Sequence, residues 1–387
     1  MAPAVDPKIG GINGNSCITP TTLTGAAVGG NLKQSLVGAS GDLVAPGIKA
    51  QYMDEIVAGF EYEVIDDLKL GVSYQNRTLG RVIEDVSTDG ANTYIISNPG
   101  EFSQSEAAAF QQRINMTDDP AEKARLTHQL QLFNGINIFD HPTRVYNALQ
   151  FTLTRRFSKK LYLQASYTYS RTEGNYPGLV SYDNGQLDPN ISSQFDLIEL
   201  LANHAGPLPT DRPHYIKIDG YYTFDLKQYG DLTVGVRFRA LSGIPENALA
   251  GHWLYGPNES FLLPRGELGR SDFDHGLDVH IGYGRKLKKN MKLEVFADIY
   301  NVYNDQGTAN VDNNYAPYYK LSSAGMPGVQ QNANPIAGGT YSDLIWLKTV
   351  DTTGVENGTP IGRNPNFHNP IALYSPLSAR LGVRLTF

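Results

Sequence analysis

A single cysteine, Cys17, stands in 387 residues. That excludes an internal disulfide and a cysteine metal cluster. No run of about 18 apolar residues occurs, which excludes a membrane-spanning helix. Basic tracts are missing and the formal net charge is −7, so a nucleic-acid partner is not expected. No glycine-rich phosphate cradle is found. The opening Met1-Ala2-Pro3-Ala4-Val5-Asp6-Pro7 has no basic segment leading into an apolar run, so no export signal is visible. If the chain is exported, it is expected to be a piece of a longer protein. Residues 1–50, rich in Gly, Thr, Asn and Pro, read as an irregular arm.

What the sequence does have is alternation. In its last stretch Leu377, Ala379, Leu381, Val383, Leu385 and Phe387 fall on one face of an extended strand, and Ser378, Arg380, Gly382, Arg384 and Thr386 on the other. The same two-faced pattern comes back in hairpins. Ile56, Ala58, Phe60, Tyr62 and Val64 turn at Ile65-Asp66-Asp67 into Leu68, Leu70, Val72 and Tyr74. Val145, Leu149, Phe151, Leu153 and Phe157 turn at Lys159-Lys160 into Leu161, Leu163, Ala165, Tyr167 and Tyr169. Ile216, Ile218, Gly220, Tyr222 and Phe224 turn at Gln228-Tyr229-Gly230 into Leu232, Val234, Val236, Phe238 and Ala240. Leu277, Val279, Ile281 and Tyr283 turn at Lys288-Lys289-Asn290 into Met291, Leu293, Val295, Ala297 and Ile299. With the terminal strand this makes about nine strands.

Every second connection is short, and those between are long and polar. The first long one, about 78–143, is expected to carry a helical insertion at about 100–135. There Asp119 caps a helix begun by Pro120, and Ser103–Arg113 forms a second. Strict segregation of loop length by end, lipid-length alternating strands and tyrosines near strand ends (Tyr52, Tyr62, Tyr74, Tyr169, Tyr222, Tyr283, Tyr303) point to one fold class. It is all-β, an antiparallel up-and-down transmembrane β-barrel, with residues 51–387 supplying its C-terminal portion. Only a closed sheet satisfies backbone groups in lipid without helices. Nine is odd, whereas bacterial single-chain barrels use even numbers. A strand is therefore hidden, or the chain is part of a larger barrel.

Arg237, Arg239, Arg380 and Arg384 face away from the apolar side. In a dry core each would cost several kcal/mol unless paired, so they imply a wet lumen. There they line the wall beside acids or bind an anionic solute. Trp253, Tyr255 and the tyrosines of the last loop, Tyr315 among them, are candidates for ligand capture. Leu381, Val383, Leu385 and Phe387 form the membrane-insertion strand. Asp274, His275, Asp278 and His280 suggest a metal site, but without a third close ligand they read as lumen residues in water. Asp211 and His214 lack the strand-turn-helix that places a nucleophile, so no enzyme and no cofactor are expected. Asp312, Asn313 and Asn314 lack an EF-hand spacing.

Several segments resemble TonB-dependent outer-membrane receptors of the Oar-like group. They are Gln51–Glu63, Asp211–Lys217, Pro264–Arg270, Phe296–Asn304 and Ser378–Phe387, in this order. The resemblance implies a 22-stranded barrel, an N-terminal plug domain, import driven by the TonB complex and insertion through barrel-assembly machinery into outer-membrane lipid. No recognisable plug or TonB-contacting segment lies within this sequence. The functional expectation is an outer-membrane receptor/transporter fragment that captures ligand with its outer loops. The alternatives are a small passive pore or surface-adhesion barrel, and a soluble β-sandwich binding module.

Overall fold

The computed structural model describes residues 11–12, 15–16, 43–180, 182–183, 193–252, 256–288, 291–316, 332–333, 335–350, 356–360 and 363–387. They fall into two compact units. One comprises residues 1–49, 83–139 and 195–197; the other comprises 50–82, 140–194 and 198–387.

The larger unit is built on a meander of nine long strands: β1 Tyr52–Ile65, β2 Leu68–Arg81, β3 Arg144–Ser158, β4 Leu161–Gly174, β5 His214–Asp225, β6 Asp231–Leu241, β7 Asp274–Lys288, β8 Met291–Tyr300 and β9 Ser378–Thr386. Each pairs antiparallel with its sequence neighbour. The two-residue Gly206–Pro207 adds to β4. Among the described residues β1 pairs only with β2, and β9 only with β8, so the sheet has two free edges. The β3–β4 turn is made by Lys159 and Lys160, both at positive φ (50° and 70°). That is the mirror-image turn that suits a twisted hairpin.

The register carries the sequence pattern across the whole sheet. Phe60 opposes Val72, Val72 opposes Phe151, and Phe151 opposes Tyr167. Further on, Ile218 opposes Phe238, Phe238 opposes Leu277, and Val295 joins Tyr283 to Val383. One face is therefore apolar over all nine strands. Phe60 (68% exposed), Tyr62 (67%), Leu381 (82%) and Val383 (70%) show that no protein covers it among the described residues.

The opposite face corrects one expectation. Phe157 does not line the apolar side. A bulge between Arg155 and Ser158 inserts one extra residue, and a one-residue shift turns a side chain to the other face. Phe157 there stacks on Tyr221 at 5.7 Å, and Tyr221 on Tyr162 at 5.5 Å.

The smaller unit holds the expected helices, α1 Gln104–Asn115 and α2 Pro120–Gly135. Ser103 caps α1 by accepting from the Glu106 N–H, and Asp119 caps α2 by accepting from the Ala121 N–H. Glu122 turns to Arg125 (2.6 Å) rather than back to the cap. Phe133 packs edge-on to Phe110 at 5.4 Å, and Val86, Ile95 and Ile136 are fully buried. Leu43–Val44 joins Ile95–Ser97, which pairs with Glu84–Val86.

Candidate functional site

The polar face of β5 to β9 gathers charges of both signs. Arg239 donates to both carboxylate oxygens of Asp219, at 3.1 and 2.9 Å, and Arg237 lies 4.0 Å from the same group. Asp298 accepts from Arg380 at 2.6 Å and has His280 Nδ1 at 2.6 Å. Arg384 reaches Glu294 at 3.5 Å. Nearer the other edge Lys69 meets Glu61 at 2.6 Å and Arg77 meets Glu55 at 2.8 Å. Exposed pairs of this kind stabilise little, about 0–1 kcal/mol each. Their effect is to keep the face hydrophilic with few charges left unmatched. A hollow of about 620 Å³ opens here, lined by Asp219, Arg237, Asp278, His280, Glu294 and Arg384 among others.

All four sequence-flagged arginines thus pair with acids on their own face. Phe296 was not flagged. It faces the same side, with Arg380 and Arg384 guanidinium groups 5.9 and 5.8 Å from its ring centre. Its ring lies over Gly382, where a Cβ would collide with it. The residue opposite Phe296 in β9 is that glycine, so the ring covers bare backbone.

The long connections fold rather than trail. Ala248, Ala250, Leu262, Leu263, Tyr315, Ala316, Leu344, Leu347 and Phe367 form a buried cluster, with Leu268 and Ile336 packed against it. It joins the 242–273 loop to the 301–377 loop. Asn203, from the 175–213 loop, donates to the carbonyls of Phe261 and Ile336, both at 3.1 Å. The sequence signal for this core was present in Ala248-Leu249-Ala250 and Phe261-Leu262-Leu263, but neither run has a period long enough to announce an element.

Tyr315 belongs to this core. It is 6% exposed, stands edge-on to Phe367 at 4.9 Å and donates its hydroxyl to the Leu344 carbonyl at 3.2 Å. Its ring packs inside this core. Trp253 and Tyr255 lie outside the described residues. Tyr341, Ile345 and Trp346, on a short helical turn over Tyr341–Trp346, are exposed, Trp346 by 73%.

Two of the segments that carry the family resemblance meet through Asp211 and Arg270. Asp211 is fully buried; it accepts from the Thr172 N–H at 2.6 Å and from the Arg270 guanidinium, with Arg171 3.7 Å away. Arg265 pairs with Asp183 and donates to the His204 carbonyl at 2.8 Å. The His204 ring packs on Phe261 at 4.5 Å, and neither of its nitrogens has a hydrogen-bond partner among the described residues. Burial, and then the Arg265 charge, hold its pKa well below the usual imidazole range.

The other groups weighed from sequence go separate ways. His214 Nδ1 is 2.9 Å from the Tyr167 hydroxyl, and Asp211 faces Arg270. His275 approaches Asp305 at 3.2 Å, His280 turns to Asp298, and Asp278 accepts from the Asn301 N–H at 2.9 Å. Asp312 accepts from the Asn314 N–H and the Asn364 side chain, at 3.0 and 2.8 Å. Leu381, Val383 and Leu385 stand on the apolar face of β9, and Phe387 follows it, 92% exposed.

The family model described as an outer membrane β-barrel domain matches residues 9–243. The TonB-dependent transporter Oar of Myxococcus xanthus is 37% identical over 354 residues, which is 90% of this chain and 29% of that protein. The chain therefore spans under a third of that relative. Among solved structures, the outer membrane transporter YddB of Escherichia coli aligns with TM-score 0.39 and 15% identity, over 71% of this chain and 32% of its own. BauA, the ferric preacinetobactin receptor of Acinetobacter baumannii, aligns with TM-score 0.38 and 12% identity, over 68% and 28%.

Proposed function

Because the chain belongs to the family of outer membrane β-barrel domains, and so resides in the cell outer membrane, we propose that it is the C-terminal part of the barrel of a TonB-dependent receptor. In this reading its long loops capture a ligand and its polar face borders the passage. A plug domain, the TonB complex and barrel-assembly machinery are partners of the longer protein. The chain itself is not an enzyme.

One observation carries the reading. Between its two borders the apolar face runs through all nine registered strands, and among the described residues no second layer of protein lies on it. Leaving a Val, Leu or Phe in water forgoes about 1.5–3 kcal/mol each, and a soluble sandwich would have covered them. Lipid is the remaining apolar cover. The opposite face, with Arg237 and Arg239 on Asp219 and Arg380 on Asp298, suits a water-filled path. Strands β1 and β9 run in the same direction, since eight antiparallel steps separate them. They cannot pair antiparallel with each other, so closure takes an odd number of further strands.

Exposed Trp346 and Ile345, together with Trp253 and Tyr255, are the capture residues in this proposal; Arg237 and Arg239 contact solute along the path. The test is made on the full-length protein in proteoliposomes and in TonB-competent and TonB-deficient cells. Uptake that needs TonB and drops with Trp346→Ala is the expected result. Steady single-channel conductance without TonB would instead make the chain part of a passive pore.

A further inference from the structure

Among the described residues, the apolar face has cations without an acid beside them at one of its two borders. Arg155 in β3 stands between Leu68 and Leu163, and Arg285 in β7 stands beside Leu293, which in turn opposes Leu385. Both arginines therefore point to the lipid side. Each lies four residues before its short turn, at 159–160 and 289–290. Neither has a carboxylate partner among the described residues, and Arg155 Nε is enclosed without any hydrogen bond.

Aromatic side chains surround this border. Tyr222 and Phe224 touch edge to face at 4.6 Å, and Tyr283 donates its hydroxyl to the Tyr229 carbonyl. Phe224 and Tyr229 are exposed. The long-loop border of the same face is different. There Tyr74 and Asn76 share Asn147, at 2.9 and 2.8 Å, His214 meets Tyr167, and Arg171 sits 3.7 Å from buried Asp211.

We propose that Arg155 and Arg285 form an anionic-lipid girdle on the short-turn border, each taking the phosphodiester of a phospholipid headgroup. The occupant follows from charge and position. A guanidinium presents a planar fork that matches two phosphate oxygens. On a lipid-facing strand its stem stays in hydrocarbon while its head rises to the headgroup level. Short turns of such barrels face the periplasm, so the headgroups met there are those of the inner leaflet. The aromatic belt fixes the depth at which the arginines sit. The inference rests on outer-membrane placement alone and is independent of ligand transport.

The test uses the full-length protein in lipid nanodiscs of phosphatidylcholine with a minor share of phosphatidylglycerol. Retained lipids are counted by native mass spectrometry. Phosphatidylglycerol should be held in preference, by about five-fold per arginine. R155Q/R285Q should lose that preference, and R155K/R285K should keep part of it. If R155Q/R285Q fails to fold, judged by heat-modified electrophoretic mobility, the wild type decides: its preference should shrink between low salt and 1 M salt. No preference in the wild type, or full preference in R155Q/R285Q, overturns the girdle. Displacement by inorganic phosphate, or equal displacement by lipopolysaccharide, overturns the assignment to inner-leaflet lipid.

Discussion

At the scale of single residues, buried polar groups in the loops matter more than the many ion pairs on the sheet. Asp211 is fully enclosed, with Arg270 bonded to it and Arg171 3.7 Å away. Removing one side of a buried pair strands the other, at about 3–5 kcal/mol. Arg270→Met should therefore destabilise the loops by that order, seen as a lower urea midpoint, whereas Arg77→Met on the exposed face should cost under about 1 kcal/mol. His204 gives a pH effect of definite sign. Its folded pKa is depressed by burial and by Arg265, so below about pH 6.5 the unfolded chain takes a proton that the folded chain refuses. Stability should fall as pH drops from 7 toward 5, by at most about 1.4 kcal/mol per pH unit. His204→Leu should flatten that slope in a melting-temperature series. Gly382 has room for no side chain because Phe296 lies over it. Gly382→Ala should cost about 1–3 kcal/mol, and less once Phe296→Ala has removed the ring, a coupling that a double-mutant cycle reads directly.

At the scale of elements, period-two alternation made the strands legible. It placed eight of the nine ribbons at their hairpins and the ninth, β9, within a residue of Ser378–Thr386. The Asp119 cap was equally legible, because it does local work that needs no knowledge of the rest of the chain; Ser103, read as the first residue of its helix, is instead that helix's cap. Phe157 was not. A bulge breaks parity without leaving a mark in composition, and only the register of β3 against β4 reveals it. The acids opposite Arg237, Arg239, Arg380 and Arg384 could be guessed as a class, but their identities depend on cross-strand register. The packing of Tyr315 was not legible for a related reason. An aromatic residue in a polar loop suggests a ligand, yet its neighbours in space, Leu344 and Phe367, come from about thirty and fifty residues away.

At the scale of the whole molecule, the claim is that one side of the sheet needs hydrocarbon. The protein should stay soluble only with detergent or lipid, and transfer to detergent-free buffer should precipitate it; a clear, monodisperse detergent-free solution would refute the membrane reading. The loop core has a different consequence. Described residues of the 175–213, 242–273 and 301–377 loops are joined through Asn203, Leu262, Ile336 and Phe367, so three sequence-distant segments behave as a single piece of architecture. Any attempt to re-target such a receptor by transplanting one loop would leave its neighbours with half a set of contacts. Swaps that respect the fold have to move the whole trio.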